Sequence, residues 1–171
     1  MANTGQILLV LGALVLFALM LPSLNQSILH NDRTLVFTNS ELTAMSLAQK
    51  IIDEAGSKVF DEVCLTTNPM LPSEMTTLGS LGPESGENYP NFDDLDDYNN
   101  LALADSLTLP SVRFNIAATI SYVNSVNPTQ PVGSQTFFKY LQVTVTGPNY
   151  ISNPNNNAPL QITLSQLFSF F

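Results

Sequence analysis

From Met1 to His30 the chain contains no Asp, Glu, Lys or Arg, and from Gln6 to Leu24 nearly every side chain is apolar. Ile7-Leu8-Leu9-Val10-Leu11 is followed by Ala13-Leu14-Val15-Leu16-Phe17-Ala18-Leu19-Met20-Leu21. A run of about 18 or more apolar residues is long enough to cross a bilayer as one helix. In lipid, a lone segment satisfies its backbone N–H and C=O groups only as a helix. The run does not end in a polar loop. It passes through Pro22 and Asn25-Gln26-Ser27 into a second helical pattern that reaches about Val63.

That second pattern is amphipathic. Leu35, Leu42, Met45, Ala48, Ile52, Ala55, Val59 and Val63 recur at steps of three, four or seven, with Phe37, Ile51 and Phe60 beside them. Such spacing predicts one apolar stripe of an α-helix. Pro22 lacks an N–H and is expected to kink or locally open the helix. Met1-Ala2-Asn3-Thr4-Gly5 has no basic side chain, and no Ala-x-Ala site follows Leu24. The segment therefore reads as a retained helix rather than a secretory signal. Such a helix needs a membrane or a bundle of its own copies.

Downstream, turn signals crowd the stretch from Leu65 to Asn100: Asn68-Pro69, Leu71-Pro72, Gly82-Pro83, Gly86 and Tyr89-Pro90. Within it lies Asn91-Phe92-Asp93-Asp94-Leu95-Asp96-Asp97-Tyr98. Asp93, Asp94, Asp96 and Asp97 are calcium candidates by composition, since Ca²⁺ takes six to eight oxygen ligands. Their spacing is not that of an EF-hand loop. The favoured reading is structural: Phe92, Leu95 and Tyr98 pack inward, and the aspartates face solvent or cap backbone N–H groups. No catalytic residue and no cofactor is assigned.

Period-2 alternation dominates the rest. Leu101, Leu103, Leu107 and Leu109 form one run, closed by Pro110. Phe114, Ile116, Ala118, Ile120 and Tyr122 form a second, and Phe137, Leu141, Val143 and Val145 a third. Leu160, Ile162, Leu164, Phe168 and Phe170 form the last. Consecutive strands with short links predict an antiparallel sheet with one apolar face, and the amphipathic helix is its cover. The predicted fold class is α+β: a long N-terminal α-helix, apolar in its first half and amphipathic in its second, packed on a sheet of three or four strands. Residues 1–29 form the apolar helix, 30–64 the amphipathic continuation, and 65–171 the loop-rich and β part.

Charge and reactive residues narrow the function. Five Lys plus Arg stand against fourteen Asp plus Glu. Nucleic acid calls for clustered basic residues, so it is not an expected partner. Cys64 is single, so no intrachain disulfide forms; it is expected to be a small buried side chain. His30 is the sole histidine, which leaves no triad and no His/Cys metal set. The chain is expected not to be an enzyme.

With these residues in view, the chain resembles type IV pilins and the pseudopilins of type II secretion systems. The resemblance rests on the uninterrupted passage from apolar to amphipathic helix, on Pro22, and on Ala44-Met45-Ser46-Leu47-Ala48-Gln49-Lys50-Ile51-Ile52-Asp53-Glu54-Ala55. Phe92-Asp93-Asp94-Leu95-Asp96-Asp97-Tyr98 is similar to an acidic string of minor pilins of the mannose-sensitive haemagglutinin type. The resemblance implies a homo-oligomeric helical filament with Leu8, Leu9, Leu11, Leu14, Leu16, Phe17, Leu19 and Leu21 in its core. It also implies residence in the inner membrane before assembly, an assembly machinery of the type IV pilus kind, and an extracellular or cell-surface end state. Gly5 is the candidate leader cleavage position. Val10 stands at the fifth place after it, where the family carries Glu. The alternative expectation is an inner-membrane-anchored pseudopilin or surface ligand-binding module that forms no long fibres.

Overall fold

A computed structural model describes residues 3–106, 108 and 112–170. Helix α1 runs from Thr4 to Gly56 and is 53 residues long, about 80 Å at 1.5 Å per residue. The helix runs unbroken across Pro22. One missing N–H leaves the flanking turns to propagate the helix.

Beyond Gly56 the chain breaks away, seven residues earlier than the apolar stripe predicts. The Ser57 N–H and hydroxyl both donate to the Glu54 carbonyl, at 3.1 and 2.6 Å, and so use an acceptor that a further helical turn would need. Gly56 also marks a close approach: a Cβ there would lie 3.1 Å from the ring of Phe168. Val59, Phe60 and Val63 are therefore not on α1. A short helix α2, Val63–Thr66, follows. Single 3-10 turns at Pro72–Glu74, Leu78–Ser80 and Asp96–Tyr98 punctuate the loop-rich stretch.

Four strands complete the fold: β1 (Leu101–Asp105), β2 (Phe114–Tyr122), β3 (Phe138–Thr146) and β4 (Gln161–Ser169). They form one antiparallel sheet in the order β1-β2-β3-β4, each strand pairing with its neighbour in sequence. Leu107, Leu109 and Pro110, predicted to extend and close the first strand, lie outside the described residues. The alternation of β2 and β3 is as predicted at Phe114, Ile116, Ala118, Ile120, Tyr122, Leu141, Val143 and Val145, all buried; Phe137, expected to open the third run, precedes β3 and is half-buried.

The face that α1 lays on the sheet shares Ala48, Ile51, Ile52 and Ala55 with the predicted stripe and departs from it toward the N-terminus. Ser40, Ala44, Leu47, Ala48, Ile51, Ile52 and Ala55 are buried, whereas Leu35, Leu42 and Met45 are exposed. The observed set follows steps of 4, 3, 1, 3, 1 and 3, the pattern of one core-facing face. Three alanines lie on that face, so the helix backbone can approach the strands. α1 lies mainly over β3 and β4. The β1–β2 half is covered instead by the acidic turn, whose Phe92, Leu95 and Tyr98 join the same core as Ile116 and Ala118.

Candidate functional site

Two parts of the molecule stand apart from ordinary domain packing: the bare half of α1 and the buried acidic turn. Every residue from Thr4 to Val36 is exposed. The eight predicted core positions range from 47% exposed at Leu21 to 75% at Leu9, with Leu8, Leu11, Leu14, Leu16, Phe17 and Leu19 between. They point all round the helix rather than along one stripe. A helix apolar on every side is at home in lipid or inside a bundle. This one is long and apolar enough to cross a membrane. Gly5 lies in its first turn, exposed. Where α1 meets the domain, Arg33, Val36, Phe37, Val112, Tyr150 and Ile151 line an open hollow of about 530 Å³.

The acidic turn is built differently. Asp93 is exposed, but Asp94, Asp96 and Asp97 are buried. Asp97 Oδ2 accepts the N–H groups of Asp93 and Asp94 at 3.1 and 3.3 Å, and Asp94 Oδ1 accepts the Asp97 N–H at 3.2 Å. These two aspartates cap the turn as expected. The turn is also tied to the end of α1. Val59 forms a parallel bridge with Asp94: the Leu95 N–H donates to the Val59 carbonyl at 2.8 Å, and the Val59 N–H to the Asp93 carbonyl at 3.3 Å. Glu54 accepts the hydroxyls of Tyr98 and Tyr89 at 2.9 and 3.1 Å. Edge-to-face contacts run from Tyr89 to Phe92 to Tyr98.

Asp96 departs from the expectation that the aspartates face solvent or cap backbone N–H groups. It meets Lys139, whose side chain is fully buried. Lys139 Nζ lies 2.5 Å from Asp96 Oδ1 and 2.7 Å from Asp61 Oδ2, and donates to the Phe60 carbonyl at 2.8 Å. The rings of Phe60 and Tyr122 flank it, with centroids 4.8 and 5.4 Å from Nζ. Asp61 is the better-served carboxylate. It also receives the Thr76 N–H and hydroxyl, the Val63 N–H and the Tyr122 hydroxyl. Burial alone would raise its pKa; the Lys139 charge and the donors of Lys139 and Thr76 reverse that and hold it below the ordinary value. Asp96 has one oxygen without a partner, and burial pushes its pKa up against the pull of Lys139. Burial, then the charges of Asp96 and Asp97, push Asp94 up to about 9.

Beside this network sits a second acidic group. Glu84 and Glu87, from the loop-rich stretch, bring a carboxylate oxygen each to within 4.8 Å of one from Asp97. Burial, the adjoining Glu87 carboxyl and the charges of Glu62 and Asp97 push Glu84 up to about 7. Neither glutamate was singled out by sequence reasoning. Lys139 was missed too, although a signal was present: it shares the odd-numbered parity of Phe137, Leu141, Val143 and Val145, which places a charge on the inward face. Cys64 is half-buried on α2 rather than fully enclosed. Burial, then the Asp61 charge, raise its thiol pKa.

The class that the fold defines is an α+β domain carried on a long, membrane-length apolar helix. Comparison with known protein families, with characterised proteins and with solved structures finds no match.

Proposed function

We propose that this chain is a structural subunit of an extracellular pilus-like filament, polymerising through the apolar half of α1. The observation that carries the reading is the bare helix: Thr4 to Val36 is exposed along about 50 Å and borders its own domain only at its last turn. Before assembly the helix resides in the inner membrane. Assembly, by a machinery of the type IV pilus kind, exchanges lipid for the helices of other copies. The acidic domain faces outward and keeps the polymer soluble. The reading is supported by the sequence resemblance and by the helix-on-sheet architecture.

The test is substitution in the middle of the run. Leu14→Asp or Leu16→Asp places a carboxylate among apolar side chains, where an unpaired charge costs several kcal/mol. Fibres seen by electron microscopy in sheared cell-surface material should disappear, while the domain keeps its circular dichroism. Normal fibre yield from either variant removes the filament-core assignment. Absence of fibres from the wild-type chain, with the protein confined to membranes, favours the membrane-anchored, non-polymerising alternative.

A further inference from the structure

We propose that Glu84, Glu87 and Asp97 together hold one calcium ion, pinning the 84–87 turn to the acidic turn. Each contributes a carboxylate oxygen, and these oxygens lie within 4.8 Å of one another. The decisive residue is Asp97. It is completely buried, and with Oδ2 engaged by two backbone N–H groups, its Oδ1 has no hydrogen-bond partner. Glu84 Oε2 is likewise buried and unpartnered. Buried carboxylate oxygens are ordinarily paired, and each exception calls for an explanation.

No protein cation supplies it. Among the described residues, the carboxylates in ion pairs are Asp61 and Asp96, both served by Lys139. A shared proton satisfies two carboxylates and leaves the third alone. An all-oxygen donor set without His or Cys selects a hard cation. Three protein carboxylates suit calcium, which accepts six to eight oxygens in flexible geometry; magnesium prefers one or two carboxylates and several waters.

The local backbone suits the task. The Glu87 N–H donates to the Glu84 carbonyl at 3.1 Å, closing the turn, and Gly86 adopts φ 103° within it. The Glu84 N–H donates to Glu87 Oε2 at 3.2 Å, which fixes that carboxylate toward the cluster. A hollow of about 320 Å³ lined by Glu87, Asp97, Tyr89 and Asn99 gives an ion access and leaves room for water ligands.

The experiment uses the full chain in detergent micelles, stripped with chelator and titrated calorimetrically with calcium chloride or magnesium chloride. One calcium per chain is expected, bound at least tenfold more tightly than magnesium, with a rise in the unfolding midpoint. Glu84→Gln and Glu87→Gln, both on the half-buried turn, should each weaken calcium binding at least tenfold and leave the midpoint in chelator unchanged or raised. Asp97→Asn should do the same, and the two glutamate variants decide the matter if it does not fold. No saturable calcium binding, equal affinity for magnesium, or wild-type affinity in both glutamate variants would overturn the proposal.

Discussion

Lys139 places a single positive charge between two carboxylates, and the two are not equivalent. Asp61 gathers donors from Lys139, Thr76, Val63 and Tyr122, whereas Asp96 has Lys139 alone. Removing one partner of a buried ion pair costs about 3–5 kcal/mol, because the other charge stays buried. Lys139→Met is expected to reach or exceed that range in denaturant unfolding, since it strands two carboxylates. Asp96→Asn should cost less than Asp61→Asn. The pH dependence has a definite sign. The folded pKa of Asp61 lies below its unfolded value, so its contribution is complete above about pH 5 and is lost as pH falls through the folded value. The difference in unfolding free energy between wild type and Asp61→Asn should therefore shrink from pH 5 toward pH 2. A difference that stays constant over that window would show that Asp61 does not work as an ion.

Helix α1 shows what an element's period reveals and what it hides. That an amphipathic helix covers a sheet is legible from recurring apolar residues. The choice of face is only half legible: Ala48, Ile51, Ile52 and Ala55 lie on the predicted stripe and are buried, but Leu42 and Met45 fit its spacing too and are exposed, while Ala44 and Leu47 are buried instead. Close approach to the strands decides it, through Ala44, Ala48 and Ala55. Ile51→Ala is expected to cost about 2–5 kcal/mol, the range for large-to-small changes in a core. Leu42→Ala should stay within about 0.5 kcal/mol, as exposed substitutions do. Equal losses at both positions would put Leu42 on the buried face as well. The strands were easier to read, because period 2 leaves only two faces. β4 is the partial exception: its alternation lapses over Ser165-Gln166-Leu167, where this edge strand is exposed. In the acidic string the inward placement of Phe92, Leu95 and Tyr98 was legible from their spacing. The fates of the four aspartates were not, because Lys139 arrives from a strand 43 residues beyond Asp96 and the fold of the loop that brings Glu84 and Glu87 to Asp97 has no periodic signal.

At the scale of the whole molecule, two halves obey different solvents. The domain closes its own core from Ala44 to Leu160, while the leading half of α1 leaves its apolar surface open. A fragment running from Gln26 to Phe171 is accordingly expected to be a soluble, folded α+β monomer. Amide exchange should find Ile51, Ile52 and Ala55 protected, and circular dichroism should show both helix and strand. An unfolded fragment would mean that the domain depends on neighbouring copies. Its sheet is a simple meander in which every pairing joins consecutive strands, so none of its pairings depends on the leading half of α1. In the proposed filament, parallel helices take axial load, and Pro22 then acquires a mechanical meaning. Without an N–H to offer the Ala18 carbonyl, the turn between them has one restraint fewer than its neighbours. Under tension that turn yields first. Each residue drawn from helical to extended backbone lengthens the rod from 1.5 Å to roughly 3.3 Å. A few such residues per copy would give the fibre reversible stretch before any contact between subunits breaks.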